Sequence, residues 1–370
     1  MYKGRGDDRS CRQDGDHHRE WEPAHITTIS RSDGLTHRAR ARPRAPHDLR
    51  TYDRGVSLAE PDYQPYQGGA FRWRLGLRAL DQADWIQIGP AYECDLAAKR
   101  ELLARHRSTV LSFVPGIEDE ASEVLRALAH HLTRRWPQWF TLGDGSITNH
   151  RTGEQFVLGD PGGAVRHPLD TAGRLVQEDL VVLVERAEGL VVGGGSVCFP
   201  NRWDLSSKLG LRLAAVHAPV SRLNDQLGGS VDTFFERLRP DRGFWRLGWS
   251  VLDTGALYQP TDGTAPPIDP LPSIGAAADG WVGERLFLRV ERETFRRFPD
   301  TGCVLFTLRT YVRPLAHLAT RPSDAGRLAA ALQAMPADVA DYKKVAELTP
   351  TAVAWLEAVT AGSSLEADGS

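Results

Sequence analysis

Cysteine is scarce in this chain, with four residues, Cys11, Cys94, Cys198 and Cys303, in 370 positions. No two of them form a CxxC pair, and they lie far apart in the sequence. Zinc and iron–sulfur sites use closely spaced cysteines as ligands, so this spacing disfavours both kinds of site.

The chain also lacks an excess of charge and any long apolar run. Its formal net charge is -3 at pH 7, so it has no strong cationic field to attract nucleic acid or an anionic membrane. A membrane-spanning helix needs roughly 20 apolar residues, and no run approaches that length. The N-terminus has no apolar segment typical of a signal peptide. We therefore predict a cytoplasmic protein with neither a nucleic-acid nor a membrane partner.

Short catalytic motifs are missing as well. The sequence contains no GK[ST] loop, no GxSxG, no HExxH and no HxE…CxxC pattern, which removes the motif support for hydrolases and zinc deaminases. Gly193-Gly194-Gly195 follows a predicted strand but lacks the GxGxxG spacing of a dinucleotide-binding loop. Phosphate binding or a flexible, bulged strand could explain these glycines, and we favour the strand.

Three segments follow from the pattern along the chain. Residues 1–60 are charged and polar and have no periodicity, so they bury too little apolar surface to offset the entropy of ordering and are predicted to be a disordered tail. Residues 61–320 are predicted to form the folded domain. Residues 321–370 are predicted to form a helical extension that ends in a frayed tail.

Periodicity predicts helices first and strands afterwards. Apolar residues at helical spacing predict helices over 96–106 and 117–136. Runs of β-branched and aromatic residues predict five strands, over 178–185, 188–199, 243–252, 285–294 and 303–312. The tight link Ala187-Glu188-Gly189 between the first two predicts an antiparallel hairpin. Other predicted elements are helices over 203–209, 231–238, 324–335, 337–348 and 351–359 and a long loop or lid over 253–280. Because the strands do not alternate with helices, we predict an α+β fold with an antiparallel sheet flanked by helices.

Residues 196–222 form the segment richest in chemistry. A surface loop needs only turn-forming residues, so the presence of Arg202, Trp203 and His217 here predicts a site. His217 lies among apolar residues, where a histidine either makes a buried hydrogen bond or, as a neutral imidazole, binds iron. Pro219 prevents the segment from continuing as a helix and so holds the imidazole in an extended setting. We interpret His217 as a candidate axial ligand of a haem iron.

Aromatic and basic residues accompany this segment. Trp203 and Trp249, with neighbouring phenylalanines, could form a flat apolar slot for a porphyrin or could fill an ordinary core. Arg202, Lys208 and Arg246 suit the two haem propionates, although a surface salt bridge would explain each of them singly.

Two strand residues are candidates for the chemistry itself. Glu291 and Tyr311 are predicted to point inward, where a carboxylate beside an aromatic ring can hold an ammonium group. An exposed strand edge is the alternative for Glu291.

Five long strings then resemble, in the same order, the haem-dependent oxidative N-demethylase-like family. They are QEDLVVLVE (177–185), CFPNRWDLSSKLG (198–210), VHAPV (216–220), FFERLRPDRGFWRLGWS (234–250) and LFLRVERETFRRFPDTGCVLFTLRTYV (286–312). The resemblance covers about residues 65–318. Several long strings in order are more specific than any single short motif.

The resemblance implies a PAS-like fold, an antiparallel sheet with helices that hold a b-type haem in a cleft. It implies oxidation of a small methylated amine such as dimethylamine by dioxygen, giving an amine and formaldehyde, in an assembly whose other chains carry flavin and iron–sulfur reductase functions. Carried over, it makes His217 the proximal ligand, Glu291 or Tyr311 the distal base or anion, and Arg246 or Arg202 a haem anchor.

The chain departs from the family pattern at two positions. Ser221 follows Val220 where the family reads HxPVP, and Gly248 precedes Trp249 where it reads RxNW. The second change removes an amide side chain beside the predicted site, so the resemblance does not determine which amine is the substrate. A non-catalytic PAS-type haem sensor or ligand-binding module and a haem-free scaffold remain alternative interpretations, since a fold does not determine a function.

Overall fold

The structure is a computed structural model that describes residues 60–67, 75–159, 166–187, 189–216, 221–263 and 281–367. The chain divides into two units, Met1–Leu58 and Ala59–Ser370, and every described residue belongs to the second. The predicted disordered tail therefore lies almost entirely outside the described residues.

A large antiparallel sheet lies at the centre of this second unit. The described strands are β1 (Arg78–Leu80), β2 (Leu111–Phe113), β3 (Phe140–Gly143), β4 (Ser146–Asn149), β5 (Glu154–Val157), β6 (Asp179–Arg186), β7 (Gly189–Ser196), β8 (Gly243–Leu252), β9 (Phe287–Arg297) and β10 (Val304–Pro314). Seven of them join in the order β1-β8-β9-β10-β6-β7-β2, and β3, β4 and β5 form a small second sheet. All neighbouring strands of the large sheet are antiparallel.

Helices flank the large sheet, which confirms the predicted class of an antiparallel sheet with helices. They are α1 (Tyr92–Arg105), α2 (Arg107–Val110), α3 (Glu118–Arg135), α4 (Pro168–Gly173), α5 (Leu213–Val216), α6 (Ser221–Arg237), α7 (Trp281–Arg285), α8 (Pro322–Gln333), α9 (Ala337–Tyr342) and α10 (Thr349–Ala367). Acidic residues in the first turn of α3 and arginines in its last turn complement the helix dipole. In the part of the chain that the structure describes, none of these helices has the length and apolarity needed to span a membrane.

Alternation along the strands separates two apolar cores, one on each face of the sheet. Leu288 and Val290 of β9 and Tyr311 of β10 pack in one core with residues of α8 and α10, including Leu328 and Trp355. The other core contains a different set of strand and helix residues: Val181, Leu183, Val192, Phe235, Phe295 and Val304. The C-terminal helices thus bury their apolar faces against the central sheet.

The five predicted strands are confirmed as β6 to β10, with ends shifted by a few residues. The predicted hairpin between the first two is antiparallel, and its register shifts between Val182 and Leu183, opposite the three glycines. This irregularity confirms the bulged-strand interpretation of Gly193-Gly194-Gly195.

Several predicted helix boundaries were wrong. The helix predicted over 203–209 is a single 3-10 turn at Ser206–Lys208, where Asp204 caps the turn through its carboxylate. The helix predicted over 231–238 is the second half of α6, because the paired glycines before Ser230 do not interrupt it. The helix predicted over 337–348 ends at Tyr342, and α10 continues past 359 to Ala367. The loop predicted over 253–280 lies beyond the described residues from 264 onward.

Candidate active site

A cavity of about 900 Å³ opens on the face of the large sheet that carries Phe295 and Phe306. Its volume lies at the upper end of the roughly 300–1,000 Å³ found for ligand sites. Much of its wall is aliphatic or aromatic, contributed by β6, β7, β9 and β10 and by α5 and α6: Val181, Leu183, Val192, Leu213, Val216, Val231, Phe234, Phe235, Phe295, Phe306 and Leu308. Such a wall can hold a flat apolar ligand.

Strand register explains why the wall changes from apolar to charged. Phe295 pairs with Phe244 on one side and Phe306 on the other. The next row on the same face places Glu293 between Arg246 and Leu308, and the row after it places Glu291 between Gly248 and Thr310. Because side chains two residues apart on a strand share a face, the aromatic row is followed directly by two carboxylates.

Each of these carboxylates has an arginine partner. The Arg246 Nε donates a hydrogen bond to Glu293 Oε2 at 2.6 Å, and the Arg289 Nε donates to Glu291 Oε1 at 2.9 Å. Arg289 is almost fully buried, and its other nitrogens donate to the carbonyl oxygens of Phe199 and Leu257. Arg289 is therefore a structural cation whose charge balances Glu291.

Arg202 has an unusual backbone conformation at the cavity rim. Its φ is +57°, in the left-handed region that a side chain with a Cβ rarely adopts. Its backbone N–H donates to Gln259 O at 2.8 Å, its Nε donates to Gln259 Oε1 at 3.1 Å, and its guanidinium forms an ion pair with Asp253. These contacts hold the strained residue in place and direct its charge to Asp253.

The structure brings six of the eight predicted site residues to this one cavity. Arg202, Trp203, Lys208, Arg246, Trp249 and Glu291 all line it. Trp249 belongs mainly to the opposite face of β8, and its ring packs edge-on against Tyr66 with the ring centroids 6.2 Å apart. Their roles toward a cofactor or substrate stay predictions.

Tyr311 is not among the residues that line the cavity. Leu308 and Thr310 of β10 pair with Glu293 and Glu291 and share the face of the sheet that carries these carboxylates. Tyr311 is the next residue after Thr310, and successive side chains on a strand point to opposite faces, so its ring lies on the other face of the sheet. There its hydroxyl donates to Gln87 Oε1 at 2.5 Å, and burial raises its pKa. A catalytic role for Tyr311 stays a prediction that this placement does not support.

His217 lies in residues 217–220, outside the described residues. The residue before it, Val216, ends α5 and lines the cavity. Among the described lining residues there is no histidine, cysteine or methionine, and of the common haem-iron ligands they include a tyrosine, Tyr342. In the described part of the chain, no group of three or more histidine, cysteine or acidic side chains is placed to hold a metal ion.

Sequence reasoning missed the residues that the C-terminal helices contribute. Tyr342 and Lys343, at the end of α9, line the charged part of the cavity. The Lys343 Nζ donates to Trp249 O at 2.8 Å; burial lowers its pKa, while the charges of Glu291 and Glu293 act in the opposite direction. Glu293 was also missed, although its position two residues after Glu291 predicts a shared face.

An antiparallel α+β fold with a large, mainly apolar cavity that has a charged end is typical of a protein that binds a cofactor or a small ligand. Residues 76–353 match the family model of haem-dependent oxidative N-demethylase, alpha subunit-like proteins. The chain belongs to this family, which confirms the resemblance found in the sequence. The family description names haem dependence and an alpha subunit, and so implies an assembly with further subunits.

Proposed function

We propose that this chain is a haem-dependent oxidoreductase that removes a methyl group oxidatively from a small amine, with the haem held in the 900 Å³ cavity. The observation that supports this most directly is the order of the rows on β9. An aromatic row, able to pack on a porphyrin face, adjoins two carboxylates, able to hold an ammonium group. We further propose that the fold is PAS-like.

The lining fits a haem in two respects. Phe234, Phe295 and Phe306 offer an apolar slot. Lys208 lies at its rim, and its ammonium makes no ion pair or hydrogen bond within the described residues, so it can bind a propionate. Arg202 and Arg246 already form ion pairs with Asp253 and Glu293. Either guanidinium could therefore bind a propionate only while its positive charge is shared with that carboxylate.

His217 is the proposed axial ligand for two reasons. It directly follows Val216, which lines the cavity, and none of the described lining residues is a histidine. When bound, the haem b iron supplies dioxygen activation and one-electron chemistry. The chain's own residues bind the amine through Glu291, hold it beside the apolar wall and exclude water from that part of the cavity.

The overall reaction consumes dioxygen, two electrons and two protons and yields the demethylated amine, formaldehyde and water. The described part of the chain shows no dinucleotide fingerprint, so the electrons come, in this proposal, from separate flavin and iron–sulfur proteins. This agrees with the alpha-subunit description of the family.

Absorption spectra of the purified protein test the cofactor assignment. We expect a Soret band in the wild type, its loss or shift in His217→Ala, and an unchanged band in Tyr342→Phe and in His317→Ala, a histidine that does not line the cavity. A colourless wild type after expression with ample iron and porphyrin precursor contradicts the proposal. An unchanged band in His217→Ala with a lost band in Tyr342→Phe would assign the ligand to Tyr342.

Formaldehyde release tests the reaction. With an artificial reductant and a methylated amine, the wild type is expected to release formaldehyde, and Glu291→Gln is expected to release it much more slowly because the amine loses its counter-charge. A haem-loaded protein that releases none with any methylated amine would instead support the alternative of a PAS-type haem sensor or ligand-binding module.

A further inference from the structure

The chain turns sharply at the end of α9, where the C-terminal helices meet the cavity. The backbone N–H of Val345 donates to Ala340 O at 2.9 Å, and that of Lys344 donates to Asp341 O at 3.1 Å. These are the two hydrogen bonds of the Schellman motif, which ends a helix with a residue in the left-handed region. That residue is Lys344, with φ +57°. The residue before it, Lys343, is therefore held as the C-cap of α9.

Lys344 occupies a position of this motif where glycine is the usual residue, because a Cβ is strained in the left-handed region. Strained backbone of this kind is found most often at functional sites. The next residue, Val345, is completely buried, and its packing holds the turn in place. The turn is therefore a fixed part of the cavity wall, to which both lysines belong.

Lys343 brings a primary amine to the cavity from this turn. Its side chain is partly buried and lines the cavity together with Glu291 and Glu293. Its Nζ donates one hydrogen bond, to Trp249 O at 2.8 Å, and within the described residues it forms no ion pair. An ammonium group has three N–H donors, so a single acceptor leaves the charged form poorly satisfied. A neutral amine needs fewer acceptors and keeps a lone pair.

Burial favours the neutral amine as well. It lowers the pKa of Lys343, although the charges of Glu291 and Glu293 oppose this shift. Buried lysines of this kind are the ones that act as nucleophiles toward carbonyl compounds, because the lone pair is available at neutral pH.

We propose that Lys343 is a nucleophilic amine that captures a small aldehyde in the cavity, first as a carbinolamine and then as an imine. The Nζ lone pair forms a bond to the carbonyl carbon, and the carbonyl oxygen takes up a proton from the nitrogen. Loss of water then forms the C=N bond. Addition of water reverses both steps, so no oxidant or reductant is consumed. The inference rests on the proposed function only in taking the aldehyde to be formaldehyde.

The chain contains its own controls, because lysine is rare in it. There are five lysines: Lys3, Lys99, Lys208, Lys343 and Lys344. Lys99 is completely buried, whereas Lys208 and Lys344 line the same cavity as Lys343. Lys344 is the closest match, since it is adjacent and its side chain is exposed. A reagent that modifies lysines according to exposure alone would therefore reach Lys344 before Lys343.

Reductive trapping with formaldehyde and cyanoborohydride tests the inference on the purified holoprotein without turnover. Cyanoborohydride reduces the imine to a methylated lysine, and peptide mapping by mass spectrometry identifies the modified residue. With limiting formaldehyde at pH 7, we expect Lys343 to be methylated at least about tenfold faster than Lys344 and Lys208. Equal rates, or a faster reaction at Lys344, would overturn the inference.

Two variants separate the amine from its surroundings. Lys343→Arg keeps a donor for Trp249 O but stays protonated and cannot form an imine, so the fast methylation should disappear while Lys344 reacts at its wild-type rate. Lys344→Gly relaxes the left-handed turn and should leave the fast methylation of Lys343 in place. If Lys344 takes over the fast reaction in Lys343→Arg, the cavity and not the Lys343 amine determines reactivity, and the inference is overturned.

The outcomes distinguish this inference from the proposed function. Selective trapping of added formaldehyde at Lys343, without formaldehyde release from any methylated amine, supports the inference and contradicts the enzymatic function. Formaldehyde release from a methylated amine together with unselective methylation of the lysines overturns the inference and leaves the function standing.

Discussion

The Lys99 ammonium lies 3.3 Å from the Asp179 carboxylate, and both side chains are almost completely withdrawn from solvent. Asp179 also accepts hydrogen bonds from the backbone N–H groups of Cys198 and Phe199, at 2.9 and 2.8 Å. Burial raises the pKa of Asp179, and the Lys99 charge opposes that shift. One buried ion pair thus holds the end of β7 and the start of the segment that leads to Arg202.

Removing one partner of this pair should be severely destabilising. Asp179→Ala leaves the buried Lys99 charge without a counter-ion and two backbone N–H groups without an acceptor, so we expect a loss of about 3–5 kcal/mol in the free energy of unfolding. Urea unfolding measures it. A double variant with Lys99→Met and Asp179→Leu should recover much of the loss, because no buried charge remains. A loss below about 1 kcal/mol in Asp179→Ala would contradict this account.

The left-handed backbone conformation of Arg202 predicts that its replacement by glycine and its replacement by alanine differ in their effect on stability. Arg202→Gly and Arg202→Ala both remove the guanidinium, but only alanine keeps the steric cost of a Cβ at φ +57°. We expect Arg202→Gly to be more stable than Arg202→Ala by about 1 kcal/mol in thermal unfolding. Equal stability of the two variants would mean that the backbone relaxes when the contacts to Asp253 and Gln259 are lost.

The glycine triplet is predicted to be intolerant of side chains for packing reasons. A Cβ on Gly195 would lie 2.5 Å from the carbonyl oxygen of Leu180, which as backbone cannot move aside. We expect Gly195→Ala to cost about 3 kcal/mol or more in urea unfolding, from overpacking. Gly229→Ala in α6, where no atom outside the local helix backbone lies within 4 Å of the added Cβ, is the control and should be neutral or slightly stabilising. A similar effect of both changes would exclude the steric explanation.

The buried His131 side chain is expected to lower the free energy of unfolding in mild acid. Its ring is buried against Trp85 and Trp136, and burial, helped by the positive charge of Arg296, lowers its pKa from 6.5 to about 4. Below pH 6.5 the unfolded chain binds a proton that the folded chain cannot bind, so stability falls as the pH drops towards about 4, by about 3 kcal/mol in total.

Unfolding free energies at pH 7 and pH 5 measure this contribution. In His131→Phe, which keeps an aromatic ring but cannot bind a proton, the difference between the two pH values should shrink by about 2 kcal/mol. His130→Gln is the control, because the neighbouring His130 side chain is exposed on α3. If His131→Phe retains the full pH dependence, the loss arises from other groups.

Much of the fold could be predicted because it depends on local pattern. Runs of β-branched residues identified β6 to β10, and a sharp turn identified the β6–β7 hairpin, since these features follow from neighbours in the sequence. The small sheet of β3, β4 and β5 was missed because its strands are four residues each, too short to show an alternating pattern.

The site was predictable in its residue types and only in part in its geometry. Glu291 and Tyr311 are both inward-facing strand residues in the sequence pattern, but the register of β9 and β10 places them on opposite faces of the sheet. No local sequence pattern predicts that Lys343 belongs to the site, because it reaches the cavity only through the packing of the C-terminal helices.

The amino-acid sequence by itself determined the family, the antiparallel α+β class and six of the side chains that line the cavity: Arg202, Trp203, Lys208, Arg246, Trp249 and Glu291. Tertiary structure alone decided which of two opposite faces each strand residue occupies, that Gly248 stands across from Glu291, and that Arg202 and Arg246 are each paired with a carboxylate. The physical reason is that alternation along a strand sorts its residues into two faces, whereas pairing between strands distant in sequence decides what each face meets.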